Sequence, residues 1–262
     1  MNGVLVIVLC VLVAAALTFL VWACSRIGSG VWIKAQCRDL RPGKVTLTFD
    51  DGPDPEVTPK VLDVLDIYGV KAYFFVTGSK AEKHPELIRL IVSRGHTVGN
   101  HTYTHSPLFP VSGKTFIEDD IRACDSVIDL AVQEAAPTSD SRGPGLSASA
   151  VAAPEPGLSA SAASPEPRLF RPPFGVTNPD IAKILKHTGH KVIGWDVRSF
   201  DTVHLKDSLA PSELDAAIGK CLGNILRKSR PGSVILLHDR LAGAPALLSR
   251  LIPALRRAGL EL

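Results

Sequence analysis

The sequence predicts an α/β fold, a mainly parallel sheet or barrel, set behind one membrane-spanning helix. From residue 44 onward, short apolar strand patterns alternate with amphipathic helical ones, the rhythm of β-α units. Residues 4–24 carry no charge and are long enough to cross a bilayer. The 262 residues, 45% hydrophobic and 21% charged, suffice for one substantial core.

The apolar run, "VLVIVLCVLVAAALTFLVWAC", reads as an anchor over residues 1–26. A cleaved signal peptide fits less well, because no Lys or Arg precedes the run and it exceeds a usual h-region. Cys24 after Ala23 is a weak lipoprotein signal beside bulky Trp22. Arg26, Lys34, Arg38 and Arg41 all follow the span, in a connector over residues 27–43. On charge alone they would hold the rest of the chain in the cytoplasm.

The main domain is expected over residues 44–262. "KVTLTFD" is a strand with Val45, Leu47 and Phe49 on one face, and "PKVLDVLDIYGV" a helix stopped by Gly69. "KAYFFVTG", "PELIRLIVSRG" and "HTVGNHT" read as strand, helix and strand, followed by a longer helix over "TFIEDDIRACDSVIDLAVQEA". The composition then breaks at residues 137–167, where "PGLSASAVAAPE" is nearly repeated as "PGLSASAASPEP", a segment too poor in bulky apolar residues to offset its ordering entropy. We expect a disordered insertion there.

The rhythm resumes with "RLFRPPFG" and with "NPDIAKILKHTGH", where Asn178 is the expected N-cap and Pro179 the first helical residue. Strand "KVIGWDV", a helix around "PSELDAAIGKCLGNILRKS", strand "SVILLHD" and a helix through "PALLSRLIPALRRAG" complete the chain, with little room for a closing strand.

The net charge of +3, with no dense Lys/Arg stripe, excludes the usual nucleic-acid binders, and no protein partner is expected. The five cysteines show no CxxC; Cys124 and Cys221 read as small buried hydrophobes.

The chemistry concentrates at strand ends. Asp50 and Asp51 end the first strand before Gly52 and Pro53; such adjacent carboxylates repel unless one is neutralised, as a divalent metal would do, although "FDDGPDP" fits a turn with a capping Asp equally well. His101 and His105 stand four apart, a spacing that offers two nitrogens to zinc in any helix-like turn. With one aspartate they would leave positions open for water and substrate, and the other aspartate would be free as a base. Arg171, at the end of an apolar strand, wants a carboxylate partner, Asp50 or Asp201. His238 ends "SVILLHD" and is suited to protonate a leaving group.

In this order, "TFDDGPDP", "HTYTH", "RPPFG", "WDVRSFD" and "LLHD" resemble the polysaccharide deacetylase family, the NodB-homology domain of carbohydrate esterase family 4. The resemblance implies a distorted (β/α) barrel with its site at the C-terminal ends of the strands. It makes Asp50 the base, Asp51, His101 and His105 the metal ligands, Arg171 the residue orienting the base, His238 the acid and Asp201 its tuning partner. Trp195, Leu237, Pro172 and Phe174 would shape the substrate pocket.

The metal implied is zinc first, with cobalt, nickel or manganese as alternatives. The activity implied is removal of N-acetyl groups from a glycan such as peptidoglycan or a chitin-like chain. Deacylation of another N-acylated or lipid-linked sugar, and a non-catalytic glycan-binding module, are the competing readings. Thr202 departs from the family, many members of which carry tryptophan there. Because the family acts on extracytoplasmic polymers, the domain is expected outside a single-pass anchor.

Overall fold

The computed structural model describes residues 3–133, 167–206 and 209–262. Apart from Pro167, the expected insertion at 137–167 lies outside the described residues.

The apolar run forms α1 (Gly3–Ser25), long and apolar enough to cross a membrane, with Ala23 alone among its residues buried. At 1.5 Å per residue it spans roughly 34 Å, just over a bilayer's hydrocarbon thickness of about 30 Å. Next come β1 (Thr46–Asp50), α2 (Thr58–Ile67), β2 (Tyr73–Val76), the short α3 (Gly78–Lys83), α4 (Pro85–Ser93), β3 (Thr97–Asn100) and α5 (Lys114–Gln133). After the undescribed stretch follow β4 (Leu169–Phe170), α6 (Pro179–His187), β5 (Lys191–Val192), β6 (Val197–Arg198), α7 (Asp201–His204), α8 (Pro211–Lys228), β7 (Val234–His238) and α9 (Ala244–Arg257). The helix α3 has no counterpart in the sequence reading. "GSKAEK" is too short and too polar to show an amphipathic period.

The seven strands form one sheet in the order β5-β4-β3-β2-β1-β7-β6, with every pairing parallel. Its two edges, β5 and β6, belong to one stretch, residues 191–198, which pairs with β4 at its start and with β7 at its end. The sheet therefore curls into a distorted barrel closed by the segment read as the single strand "KVIGWDV". A piece of the connector fills the remaining gap: Gln36 donates to the Val192 carbonyl at 2.8 Å and accepts from the Gly194 N–H at 3.0 Å, and Arg38 bridges to Ser233. The chain end supplies one backbone bond, Val45 N–H to the Glu261 carbonyl at 2.7 Å, and no strand.

Alternation within β1 explains how the barrel can hold a polar centre. Leu47 and Phe49 face the helices and join the larger core with Leu62, Ile91, Ile252 and Leu255. Phe49 stacks on Phe74 with centroids 4.9 Å apart. Each such buried side chain contributes about 1.5–3 kcal/mol. Thr48 and Asp50 point the other way, into the barrel, toward Arg171. A second core packs α5 and α6 onto β4 and β5 through Phe109, Ile121, Phe170, Ile181 and Leu185, and it also takes in Ile27, just beyond α1. Asn178 caps α6 as expected, accepting from the Ile181 N–H at 2.8 Å. Cys124 and Cys221 are fully buried, and burial pushes the Cys221 thiol up to about 12.

Candidate active site

The C-terminal ends of β1, β3 and β7 open into one pocket lined by Asp50, Asp51, His101, His105, Trp195 and His238, with Phe174, Arg198, Thr202, Leu236 and Arg240 around them. The registers place its polar groups side by side: Asp50 lies opposite His238 of β7 and Phe75 of β2, and Asn100, which precedes His101, lies opposite Phe170, which precedes Arg171.

Asp51, His101 and His105 form a metal-ligand set, with their donor atoms all within 4.8 Å of one another. Asp51 Oδ1 is 3.4 Å from His101 Nε2 and 3.2 Å from His105 Nε2. His101 Nδ1 is 2.7 Å from the Arg171 carbonyl, so the proton sits on Nδ1 and the Nε2 lone pair faces the site. One carboxylate oxygen and two imidazole nitrogens suit a divalent transition metal, zinc above all.

The two histidines do not meet on a helical face, as the i, i+4 spacing suggested. They lie in a loop bent by left-handed backbone at Thr102 (φ 68°) and His105 (φ 50°). The Asn100 carboxamide accepts from the Thr102 N–H at 2.7 Å, and the Thr102 hydroxyl accepts from the His105 N–H at 3.1 Å. Asp51 (φ 70°), Phe174 (φ 59°) and Phe200 (φ 60°) are also left-handed, so among the described non-glycine residues with positive φ only Asp39 lies outside the site region. Such backbone costs of order 1–3 kcal/mol per residue and gathers where a side chain must be aimed.

Asp50 is 3% exposed and Arg171 fully buried. Arg171 is held over the Phe75 ring at 4.1 Å, and it donates to Asp50 Oδ1 at 2.6 Å, to Thr48 Oγ1 at 2.8 Å and to the carbonyls of Ile193 and Gly194. Its partner is thus Asp50, not Asp201. The other oxygen, Asp50 Oδ2, stays 3.8 Å from His101 Nε2, directed at the metal site. Burial opposes the Arg171 charge, while Asp50 supports it.

Asp201 instead grips His238 twice, accepting from its backbone N–H at 2.9 Å and from Nδ1 at 2.8 Å. That fixes the tautomer. Burial alone would lower the His238 pKa, but the Asp201 hydrogen bond and charge outweigh it and hold the imidazole above its ordinary value. Burial likewise pushes Asp51 upward, yet with no metal bound the hydrogen bond and charge of a doubly protonated His101, with the charges of His238 and His105, hold it well below the usual carboxylate range. His105 is lowered, by burial first and by His101 second, which favours the neutral ligand form.

Two expected pocket residues are placed elsewhere. Leu237 is 2% exposed and faces the helical core beside Phe49, because side chains alternate along β7 and His238 already points into the pocket; Leu236 takes the lining position. Pro172 is buried behind Phe174 and is not part of the lining. Trp195 and Phe174 are where they were expected.

Sequence reasoning missed Arg240, whose Nε is 2.9 Å from Asp51 Oδ2, and Arg198 at the rim. It also missed the brace behind the Asp51 turn. Buried Asp239, pushed up to about 6 by burial, accepts from the Thr58 hydroxyl at 2.6 Å and packs so closely on Gly52 that a Cβ there would lie 2.3 Å from its oxygens. The capping aspartate of "FDDGPDP" is Asp54, which accepts from the Glu56 and Val57 N–H groups at 2.9 Å. A strand end "HDR" gave no hint of the Arg240–Asp51 and Asp239–Thr58 contacts, whose partners are 189 and 181 residues apart along the chain.

Residues 38–154 match the family model described as polysaccharide deacetylase. A chitooligosaccharide deacetylase of Sinorhizobium fredii is 34% identical over 228 residues, covering 82% of this chain and 86% of that protein. The chain belongs to the polysaccharide deacetylase family. A peptidoglycan-N-acetylglucosamine deacetylase of Bacillus cereus is 33% identical over 82% of this chain, which spans 64% of that relative's length. A family 4 carbohydrate esterase from Streptomyces lividans, solved in complex with acetate, superposes with a TM-score of 0.61 at 28% identity, covering 83% of this chain and 90% of that one. Family membership accounts for the order of the five motifs and for the barrel.

Proposed function

We propose that this chain is a membrane-anchored, metal-dependent N-deacetylase of an N-acetylated glycan, peptidoglycan or a chitin-like chain. The observation that carries the reading is the pairing of an Asp51–His101–His105 ligand set with a separately held base and acid around one pocket. The similarity to chitooligosaccharide and peptidoglycan deacetylases supports the substrate class.

Asp51, His101 and His105 would hold the metal, which when bound polarises a carbonyl and lowers the pKa of water. Asp50 takes a proton from the attacking water on Oδ2, while Arg171 holds the other oxygen and keeps the carboxylate aimed. His238 acts as the imidazolium, which Asp201 stabilises through Nδ1–H, and its Nε2–H gives a proton to the amine as the C–N bond breaks. Acetate and a free amino sugar leave. Trp195, Phe174 and Leu236 wall the acyl and sugar side of the pocket.

Acetate release by zinc-loaded protein across a panel of N-acetylated glycans tests the reading, and no release from any of them sinks it. Zinc, cobalt, nickel and manganese reconstitution ranks the metals. For the anchor, α1 stays on the mature chain and the domain faces outward. The basic residues after the span argue the other way on charge alone, but Arg38 is engaged by Asp196 at 3.3 Å and by the Pro231 carbonyl at 2.7 Å. Protease accessibility in spheroplasts, with N-terminal sequencing of the product, checks both points.

A further inference from the structure

The end of α1 is not a flexible stalk. The Cys24 carbonyl accepts from the Thr177 N–H at 2.9 Å, the Ser29 hydroxyl donates to the Ala23 carbonyl at 2.9 Å, and Ala23 and Ile27 are buried against the domain. Thr177 lies three residues beyond Phe174, which lines the catalytic pocket. Exposed apolar side chains surround this exit: Asn178 donates to the Pro110 carbonyl at 2.5 Å, and Pro110 is flanked by Leu108, 65% exposed, and Val111, 81% exposed. Trp22 sits in the last turn of α1, where interfacial tryptophans anchor spans. With α1 read as the span, these contacts would seat the domain against the membrane surface, with its pocket close to that surface.

Between the exit and the pocket lies a second cleft of about 450 Å³. Ser25 and Arg26 line its end nearest α1, and Phe174, Trp195 and Arg198 line both it and the catalytic pocket, so the two adjoin at these residues. Lys228 completes a cationic wall: its ammonium and the Arg198 guanidinium lie 5.7 Å and 5.4 Å from the Phe200 ring. None of Arg26, Arg198 and Lys228 forms an ion pair among the described residues. The carboxylate in the lining, Asp196, is taken up by Arg38 and by the Val234 N–H at 2.8 Å. Three unpaired cations in a cleft that begins at the lipid surface and ends at the reacting groups match one shape of ligand: an apolar chain, a phosphate or diphosphate, and a sugar, in that order.

We infer that the substrate is an N-acylated amino sugar carried on a lipid phosphate or diphosphate, with its sugar in the catalytic pocket and its phosphate among Arg26, Arg198 and Lys228. This rests on the deacetylase and anchor readings above and names the form in which the N-acetylated sugar is preferred by the site.

The test uses the full chain in phosphatidylcholine nanodiscs, with Asp50→Asn to stop turnover, and measures binding of polyprenyl diphosphate N-acetylglucosamine, of sugar-free polyprenyl diphosphate and of the soluble N-acetylglucosamine tetramer. The sugar lipid is expected to bind at least about tenfold tighter than either control, and Arg26→Glu and Lys228→Glu each to weaken it about tenfold. Equal or tighter binding of the tetramer overturns the inference. So does equal binding of the sugar-free lipid, which would mark an anionic-lipid contact only, or indifference to both charge reversals. Wild-type acetate release from the tetramer without preference for the sugar lipid overturns this inference alone. Preferential binding of the sugar lipid with no acetate released from either ligand by the wild type keeps it as a ligand of the cleft, but overturns the deacetylase reading and with it the claim that this ligand is the substrate.

Discussion

On one side of the catalytic pocket Asp50, His101 and Arg171 are at most 3% exposed, and each is held by hydrogen bonds from the barrel interior. On the other side Phe174 is 55% exposed, Arg198 at a strand end and Arg240 on a turn are open to solvent, and Thr202, in α7, is half-buried. The buried wall allows one arrangement, because a carboxylate and a guanidinium taken out of water must satisfy each other completely. The open wall carries no such constraint and is free to differ among relatives. Here it carries Thr202 where many family members place tryptophan, and two arginines at the rim. Reaction type is therefore a property of the first wall and substrate choice of the second.

The largest expected effect lies in the buried wall. Asp50→Asn should lower kcat/KM by roughly 10²–10⁴ with metal content unchanged, whereas Asp51→Asn or His105→Ala should lower the metal content itself, read by elemental analysis of purified protein. If Asp50→Asn lost metal and Asp51→Asn kept it, the two roles would be exchanged.

Arg171→Met leaves Asp50 buried without its partner and should destabilise the fold by about 3–5 kcal/mol in denaturant titration. A loss as small as that of a surface substitution would mean that water reaches the barrel centre.

Asp201→Asn tests the acid. The His238 pKa is raised, so its protonated form persists above the ordinary range and activity falls as pH rises through that value. Removing the Asp201 charge leaves burial to act alone; the alkaline limb of kcat/KM should shift to lower pH, with a rate loss of about tenfold or more at neutral pH. An unmoved limb would assign it to another group.

The smallest effect belongs to the open wall. Thr202→Trp should lower KM for chitooligosaccharides about threefold and leave kcat nearly unchanged, because it adds a stacking face without touching the reacting groups.

Most strands and helices were legible because each buries one face, and periods of two and near four survive in the sequence. The break between β5 and β6 was not legible. "KVIGWDV" is short enough to read as one strand, and only the curvature of the closing barrel makes its halves pair with different neighbours. That Asp50, Asp51, His101, His105 and His238 gather at one pocket was legible through motifs that stay contiguous at strand ends. Leu236 was confused with Leu237 because a fully apolar strand hides its own phase until His238 is seen facing the pocket. Arg171 was recognised as needing a carboxylate, but Asp50 and Asp201 were equal candidates until the register of β1 brought Asp50 within 2.6 Å.

By itself, the sequence determined the α/β rhythm, the apolar helix, the family and the candidate residues of the site, since all of these reside in local patterns or short motifs. Tertiary structure alone decided the ion pair of Arg240 with Asp51, the contact of Asp239 with Thr58 and the seating of the end of α1 beside Phe174 and Trp195. Those are contacts between residues far apart along the chain, and their distances depend on how the sheet curls and closes, which no local period records.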